Sequence, residues 1–215
     1  MTRYVRSAVV WGILLFCTAC AETVTVQVTG TGASADPIPQ RATYAVLPTS
    51  EVAKDPAFPE YAQLVSTKMD ALGYKKTGER SAQLGVFLAY ASTEDAPTSV
   101  GMQPPPMSAG GGMSASGSGG GGYGMATGTP AGGTTRLQYT NQLVIVVLDL
   151  KKSAASGAKA ELWRGETMNR SNSNDLKALA PVMVDAAFRH LGETTSGSMR
   201  HQFTEEEIGK LRQDR

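Results

Sequence analysis

The clearest chemistry in this chain belongs to Cys20, which closes the tetrapeptide Cys17-Thr18-Ala19-Cys20. An apolar run, residues 8–17, comes before it, and Arg3 and Arg6 precede that run. The run is shorter than the roughly 20 residues a spanning helix needs, and Thr18 and Ala19 are the small residues a signal peptidase accepts. The layout predicts export with cleavage before Cys20, so residues 1–19 are the signal and a cysteine becomes the mature N-terminus. Cys17 leaves with the signal, so the mature chain has one cysteine. Neither an internal disulfide nor a Cys-x-x-Cys redox or zinc motif is then available, and the thiol's remaining use is covalent modification.

Other reactive groups are sparse. The chain has two histidines, His190 and His201, and neither accompanies a Gly-x-Ser-x-Gly elbow, which argues against a serine hydrolase. His190 falls on or beside the apolar face of a predicted helix and reads as a packing residue; His201 sits in a polar tail. Gly117, Gly119 and Gly122 match dinucleotide-loop spacing, but neither a strand nor a helix flanks them, so the match is compositional. Asp149 and Glu161 could face each other across a hairpin, although solvated edge charge is the simpler reading. Trp163 and Arg164 are binding candidates for sugar or peptide. In a strand they point to opposite faces, which instead packs Trp163 on helices and leaves Arg164 in solvent.

A glycine-rich tract carries the remaining candidates, Tyr123 and the methionines Met102, Met107, Met113 and Met125. Thioethers are soft ligands suited to Cu(I), but the spacing is irregular and no histidine or cysteine assists. The same residues serve as well in a contact segment for a partner. The sequence therefore predicts no catalytic set, no metal site and no cofactor.

Charge is nearly balanced, with 20 basic and 19 acidic residues, and without Arg3 and Arg6 the mature chain has 18 basic ones. Such balance provides no attraction to nucleic acid, and attachment to a membrane must come from a lipid. No charged residue lies between Asp95 and Arg136, and residues 101–133 hold 13 of the 24 glycines. So few apolar groups cannot offset an ordering entropy of about 1–2 kcal/mol per residue, so a disordered insertion is predicted over 97–135.

The elements around that insertion follow from periodicity. A strand over 42–47 ends at Pro48. A helix follows on Tyr61, Leu64, Val65, Met69 and Leu72, between Pro59 and Gly73. Alternation at Leu84, Val86, Leu88 and Tyr90 gives a second strand. The apolar run 143–150, extended by Leu137 and Tyr139, gives a third, and a turn over 151–157 leads to a partner strand over 160–165. A helix over 175–191 presents Leu176, Leu179, Met183 and Ala187 on one face. Pro181 either kinks it or marks where its regular part begins. Two helices on one face of an antiparallel or mixed sheet of about four strands make an α+β fold over 41–192. Residues 20–40 read as the lipidated N-terminus and a tether with a short strand on Val24, Val26 and Val28. Residues 193–215 read as a polar tail, with a short helix behind the capping box Thr204-x-x-Glu207.

Cys17-Thr18-Ala19-Cys20 resembles the lipobox of bacterial lipoproteins, with Cys17 in place of the usual leucine. The resemblance implies diacylglycerol on the Cys20 thiol and acylation of its amine. Ala21, rather than aspartate, resembles the pattern of lipoproteins released to the outer membrane, facing the periplasm. Beyond the anchor, Ala42-Thr43-Tyr44-Ala45, Ala71-Leu72-Gly73-Tyr74, the 143–150 strand with Asp149, and Leu162-Trp163-Arg164-Gly165 resemble in order a family of small bacterial lipoproteins. It is catalogued as a domain of unknown function, number 4136, here over 41–192. Val46 replaces the family's tryptophan, Ser81-Ala82-Gln83 replaces an aspartate-rich entry, and the long insertion is atypical. The resemblance implies a lipid-anchored α+β domain of the envelope with no catalytic set to carry over. The resulting expectation is a non-enzymatic binding or scaffolding protein with an envelope protein as partner. The alternatives are an enzyme acting on cell-wall or lipid material, or copper binding through the loop methionines.

Overall fold

The apolar run read as the strongest strand signal becomes β5 (Tyr139–Asp149), and its two faces differ. Leu143, Ile145 and Val147 are fully buried beneath helices, while Val144 and Val146 are half-buried on the other side. The computed structural model describes residues 23–32, 36–95 and 137–213. The predicted signal, Cys20, the insertion, Tyr123 and the four loop methionines lie outside the described residues.

In chain order the elements are β1 (Val24–Gly32), β2 (Thr43–Pro48), α1 (Phe58–Ala71), β3 (Lys75–Lys76), a short 3-10 turn (Glu79–Ser81), β4 (Leu84–Glu94), β5, α2 (Leu150–Ser156), β6 (Glu161–Ser171), α3 (Leu176–Phe188), β7 (Met199–Phe203) and α4 (Glu205–Gln213). They form one seven-stranded sheet in the order β3-β2-β4-β5-β6-β1-β7. β2 runs parallel to β3 and β4, and every other pair is antiparallel. The fold is α+β as expected, but the sheet has seven strands rather than about four, and there are four helices rather than two. β1 and β7 come from segments read as tether and tail; they pair with each other and, through β1, with β6. Their pairing joins residues far apart in sequence, which local alternation does not reveal.

The turn expected over 151–157 is the helix α2. Asp149 caps it by accepting from the Lys152 N–H at 2.9 Å, and Gly157 ends it at φ +67°. Asp149 is therefore buried rather than an edge charge. Glu161 instead takes the Arg164 guanidinium with both oxygens, at 3.0 and 2.9 Å. In α1, Tyr61, Val65 and Met69 turn inward as the spacing requires, but Leu72 is 52% exposed. The helix has already ended at Ala71, and Leu72 is its C-cap ahead of Gly73 at φ +86°. α3 begins at Leu176 behind the Asp175 cap and continues through Pro181.

The core lies between the sheet and the α1–α3 layer. Trp163, Tyr44, Phe203, Met69 and Met183 are among its largest fully buried side chains, each contributing about 1.5–3 kcal/mol by burial. Tyr44 joins the layers: its hydroxyl donates to Asp70 Oδ1 at 2.8 Å and to the Ser66 carbonyl at 3.1 Å. Burial first, and the Asp70 carboxylate second, raise its pKa above the ordinary phenolic value.

Candidate functional site

Register fixes which segments share one end of the sheet. Val24 pairs with Phe203, Gln27 with Met168, Tyr139 with Ser171, and Glu94 with Tyr139. The start of β1, the ends of β4, β6 and β7, and the start of β5 therefore lie together. β2 points the same way as β4, so the loop after Pro48 delivers the N-terminus of α1 to this end. The four residues after β6 do the same for α3.

Between those two N-termini is a groove of about 410 Å³ lined by Pro59, Glu60, Tyr61, Gln63, Leu64, Lys177 and Ala180. Pro59 sits in the first turn of α1, where its missing N–H is harmless, so an apolar ring faces the groove at a helix start. Tyr61 forms part of the wall and is held from behind. Its ring packs on Tyr90 at 4.1 Å between centroids, and the Tyr90 hydroxyl donates to Asp55 Oδ2 at 2.8 Å. Burial and Asp55 raise the Tyr90 pKa, so that phenol stays a donor. Glu60 and Lys177 bridge the helices at 2.8 Å with both side chains more than half exposed. Farther along the same helices, Asp185 holds Lys68 and Arg189 together. The groove is thus apolar, open to solvent and flanked by paired charges, suited to receiving an apolar group rather than polarising a bond.

The family model for the domain of unknown function DUF4136 matches residues 33–191, most of the chain. The chain belongs to the DUF4136 family. Among curated proteins none matches it. Of solved structures, a PDZ domain protein from Parabacteroides distasonis is similar at 13% identity and a TM-score of 0.49; the match covers 85% of this chain and 39% of that one. A PelC dodecamer from Paraburkholderia phytofirmans is similar at 8% identity and a TM-score of 0.39, over 78% of this chain and 99% of that one.

The DUF4136 fold separates the residues singled out in the sequence. Trp163 is fully buried; its indole N–H donates to the Glu193 carbonyl at 3.2 Å, and its ring lies over Gly165. It presents no surface for stacking a sugar. Arg164 points to the opposite face, where Glu161 engages it and raises its pKa further. Asp149 and Glu161 serve the α2 cap and Arg164, and do not form a pair.

Sequence reasoning missed two arrangements. Thr25, Gln27, Met168, Arg170 and Arg200 outline a cleft of about 190 Å³ on the sheet face away from the helices, assembled by β1, β6 and β7. The two histidines also come together. Nε2 of His190 lies 2.8 Å from Nε2 of His201, and Nδ1 of His190 lies 3.0 Å from Glu193 Oε2. Burial, then His190 and Arg189, lower the His201 pKa. His201 lies in β7 rather than in a polar tail, and the one available signal was that the chain has two histidines in all.

Proposed function

We propose that this DUF4136 protein is a lipid-anchored envelope protein that works by binding, and that the groove between α1 and α3 holds an apolar peptide segment of another envelope protein. The groove carries this reading: an apolar trough between two helix starts, with its charges neutralised in pairs, offers contact area and register. Its place in the fold supports the anchor. From Cys20 to Val24 the chain spans at most about 14 Å, and Val24 starts the strand at the groove's end of the sheet. A lipid on Cys20, facing the periplasm from the outer membrane, would hold the groove near the bilayer and favour partners exposed there.

The test replaces Gln63, on the groove wall, with a photo-crosslinking residue in cells. One protein adduct is expected, mapped to an apolar segment of the partner and lost with either Leu64→Glu or the mislocalising Cys20→Ser. Adducts that persist in Leu64→Glu, or that form with lipid alone, would overturn the peptide-binding reading. Tight membrane association of Cys20→Ser would overturn the anchor.

A further inference from the structure

On the sheet face turned away from the helices, Arg170 of β6 and Arg200 of β7 line one cleft of about 190 Å³ together with Thr25, Gln27 and Met168. Register explains why strands two apart share it. Gln27 of β1 pairs with Met168 on one side and with Arg200 on the other. The Asn169 amide donates to the Thr25 carbonyl at 2.8 Å, which keeps β6 alongside β1 farther toward the end of the sheet. Val26, Val28 and Asn169 are buried toward the helices, so alternation turns Thr25, Gln27, Met168 and Arg170 the other way. The ion pairs among the described residues use Arg164, Arg189, His190 and four lysines, and neither Arg170 nor Arg200. We propose that this cleft binds the phosphate of an anionic lipid headgroup, with Arg170 and Arg200 holding it from the two strands that flank β1.

The side chains match that chemistry. A guanidinium presents a planar fork of N–H donors that fits two phosphate oxygens, and it sheds water more readily than an ammonium does. Like charges sharing one cleft repel each other, and a phosphodiester anion between them turns that repulsion into two attractions. Thr25 and Gln27 add neutral donors on the strand between the arginines, and Met168 offers an apolar contact for the carbons beside the phosphate. Two carboxylates lie on neighbouring strands and are directed elsewhere. Glu166 is 3.9 Å from the Arg164 guanidinium, and Asp95 accepts from the Thr140 hydroxyl at 2.7 Å.

A lipid as the source of the phosphate rests on the anchor reading above. Thr25 follows Cys20 by five residues, at most about 17 Å of chain, and each headgroup layer of a bilayer is about 5–8 Å deep. A chain acylated at Cys20 therefore keeps the cleft within reach of headgroups. The acyl chains supply attachment; the cleft prefers anionic over zwitterionic lipid and fixes how the sheet faces the bilayer. With 20 basic and 19 acidic residues the chain has no general attraction to anionic lipid, so such a preference has to come from a local site.

The test uses the protein purified from cells in a neutral detergent, with phosphatidylglycerol or phosphatidylcholine added to the micelles and native mass spectrometry as the readout. One phosphatidylglycerol adduct is expected, in clear excess over phosphatidylcholine. Arg170→Gln and Arg200→Gln, both at exposed side chains, should each weaken it about fivefold and together about 25-fold. Arg164→Gln removes the same charge from the same face and should leave the adduct unchanged. Inorganic phosphate in molar excess should not displace the lipid. An adduct that survives the double replacement, equal adducts with the two lipids, or displacement by inorganic phosphate would overturn the proposal. The same spectra keep the two readings apart: a mass without acyl groups would overturn the anchor, while the arginine dependence of the adduct alone decides the cleft.

Discussion

α1 and α3 lie side by side on one face of the sheet and are built differently. α3 buries nine of its thirteen residues, on nearly every side, because the sheet lies beneath it and α1 and α4 flank it. α1 buries five of fourteen, on one stripe, because it covers the margin of the sheet over β2 and β3. The wet side of α1 is also where the groove opens. One helix thus carries the stability of the layer, and the other has surface free for binding.

Matched truncations give the largest test of that contrast. Met183 is fully buried in the core, and Met183→Ala should lower unfolding free energy by about 2–5 kcal/mol. Leu64→Ala on the groove wall, where the side chain is only half-buried, should cost less than about 1.5 kcal/mol, the scale of a partial transfer loss. Urea unfolding midpoints of the two variants measure this directly. Equal losses would mean that α1 is as structural as α3.

A smaller effect is expected where the sheet meets the turn after α3. A Cβ at Gly165 would come 2.2 Å from Trp163 Cη2 and 2.6 Å from Cζ2, and Gly165 pairs with Gly30, where a Cβ would press the Glu193 carbonyl at 2.9 Å. Two glycines face each other here so that the indole can lie flat on the strands. Gly165→Ala should therefore cost about 1–3 kcal/mol by overpacking. Combined with Trp163→Phe, which removes the benzo ring, the loss should be smaller than the sum of the single losses. Thermal unfolding of the four proteins in this cycle reads the coupling, and strict additivity would place the strain elsewhere.

These contrasts also explain what could be read from the sequence. α1, β4, β5, β6 and α3 were legible because each combines a period with a stop: Pro59 and Gly73 around α1, Asp175 ahead of α3, alternation along β4. The capping box at Thr204 announced α4, and both hydrogen bonds form, at 2.8 and 3.4 Å. β3 is two exposed lysines that pair because β2 lies beside them, and no pattern encodes that. β7 sets Met199, His201 and Phe203 opposite Val28, Val26 and Val24, but only Phe203 is buried, and a histidine and an exposed methionine weaken the signal. β1 showed its alternating valines, while its place between β6 and β7 depends on partners 131 to 179 residues away. The groove and the histidine pair share this origin: both are made by elements distant in sequence, so their residues looked unrelated.

The smallest expected effect sharpens the contrast most. Glu60 and Lys177 pair across the rim of the groove, with side chains 52% and 58% exposed. Exposed pairs contribute about 0–1 kcal/mol, because solvent screens them and ordering two long side chains costs entropy. Glu60→Gln and Lys177→Gln, alone and together, should leave the urea midpoint nearly unchanged. If the groove receives a partner segment, the same variants should alter the yield of the Gln63 crosslink, since rim charges set register and approach more than stability. A crosslink that responds while stability does not would separate binding from folding on α1. A large stability loss would instead show that the two helices rely on the pair to stay together, and would weaken the distinction between them.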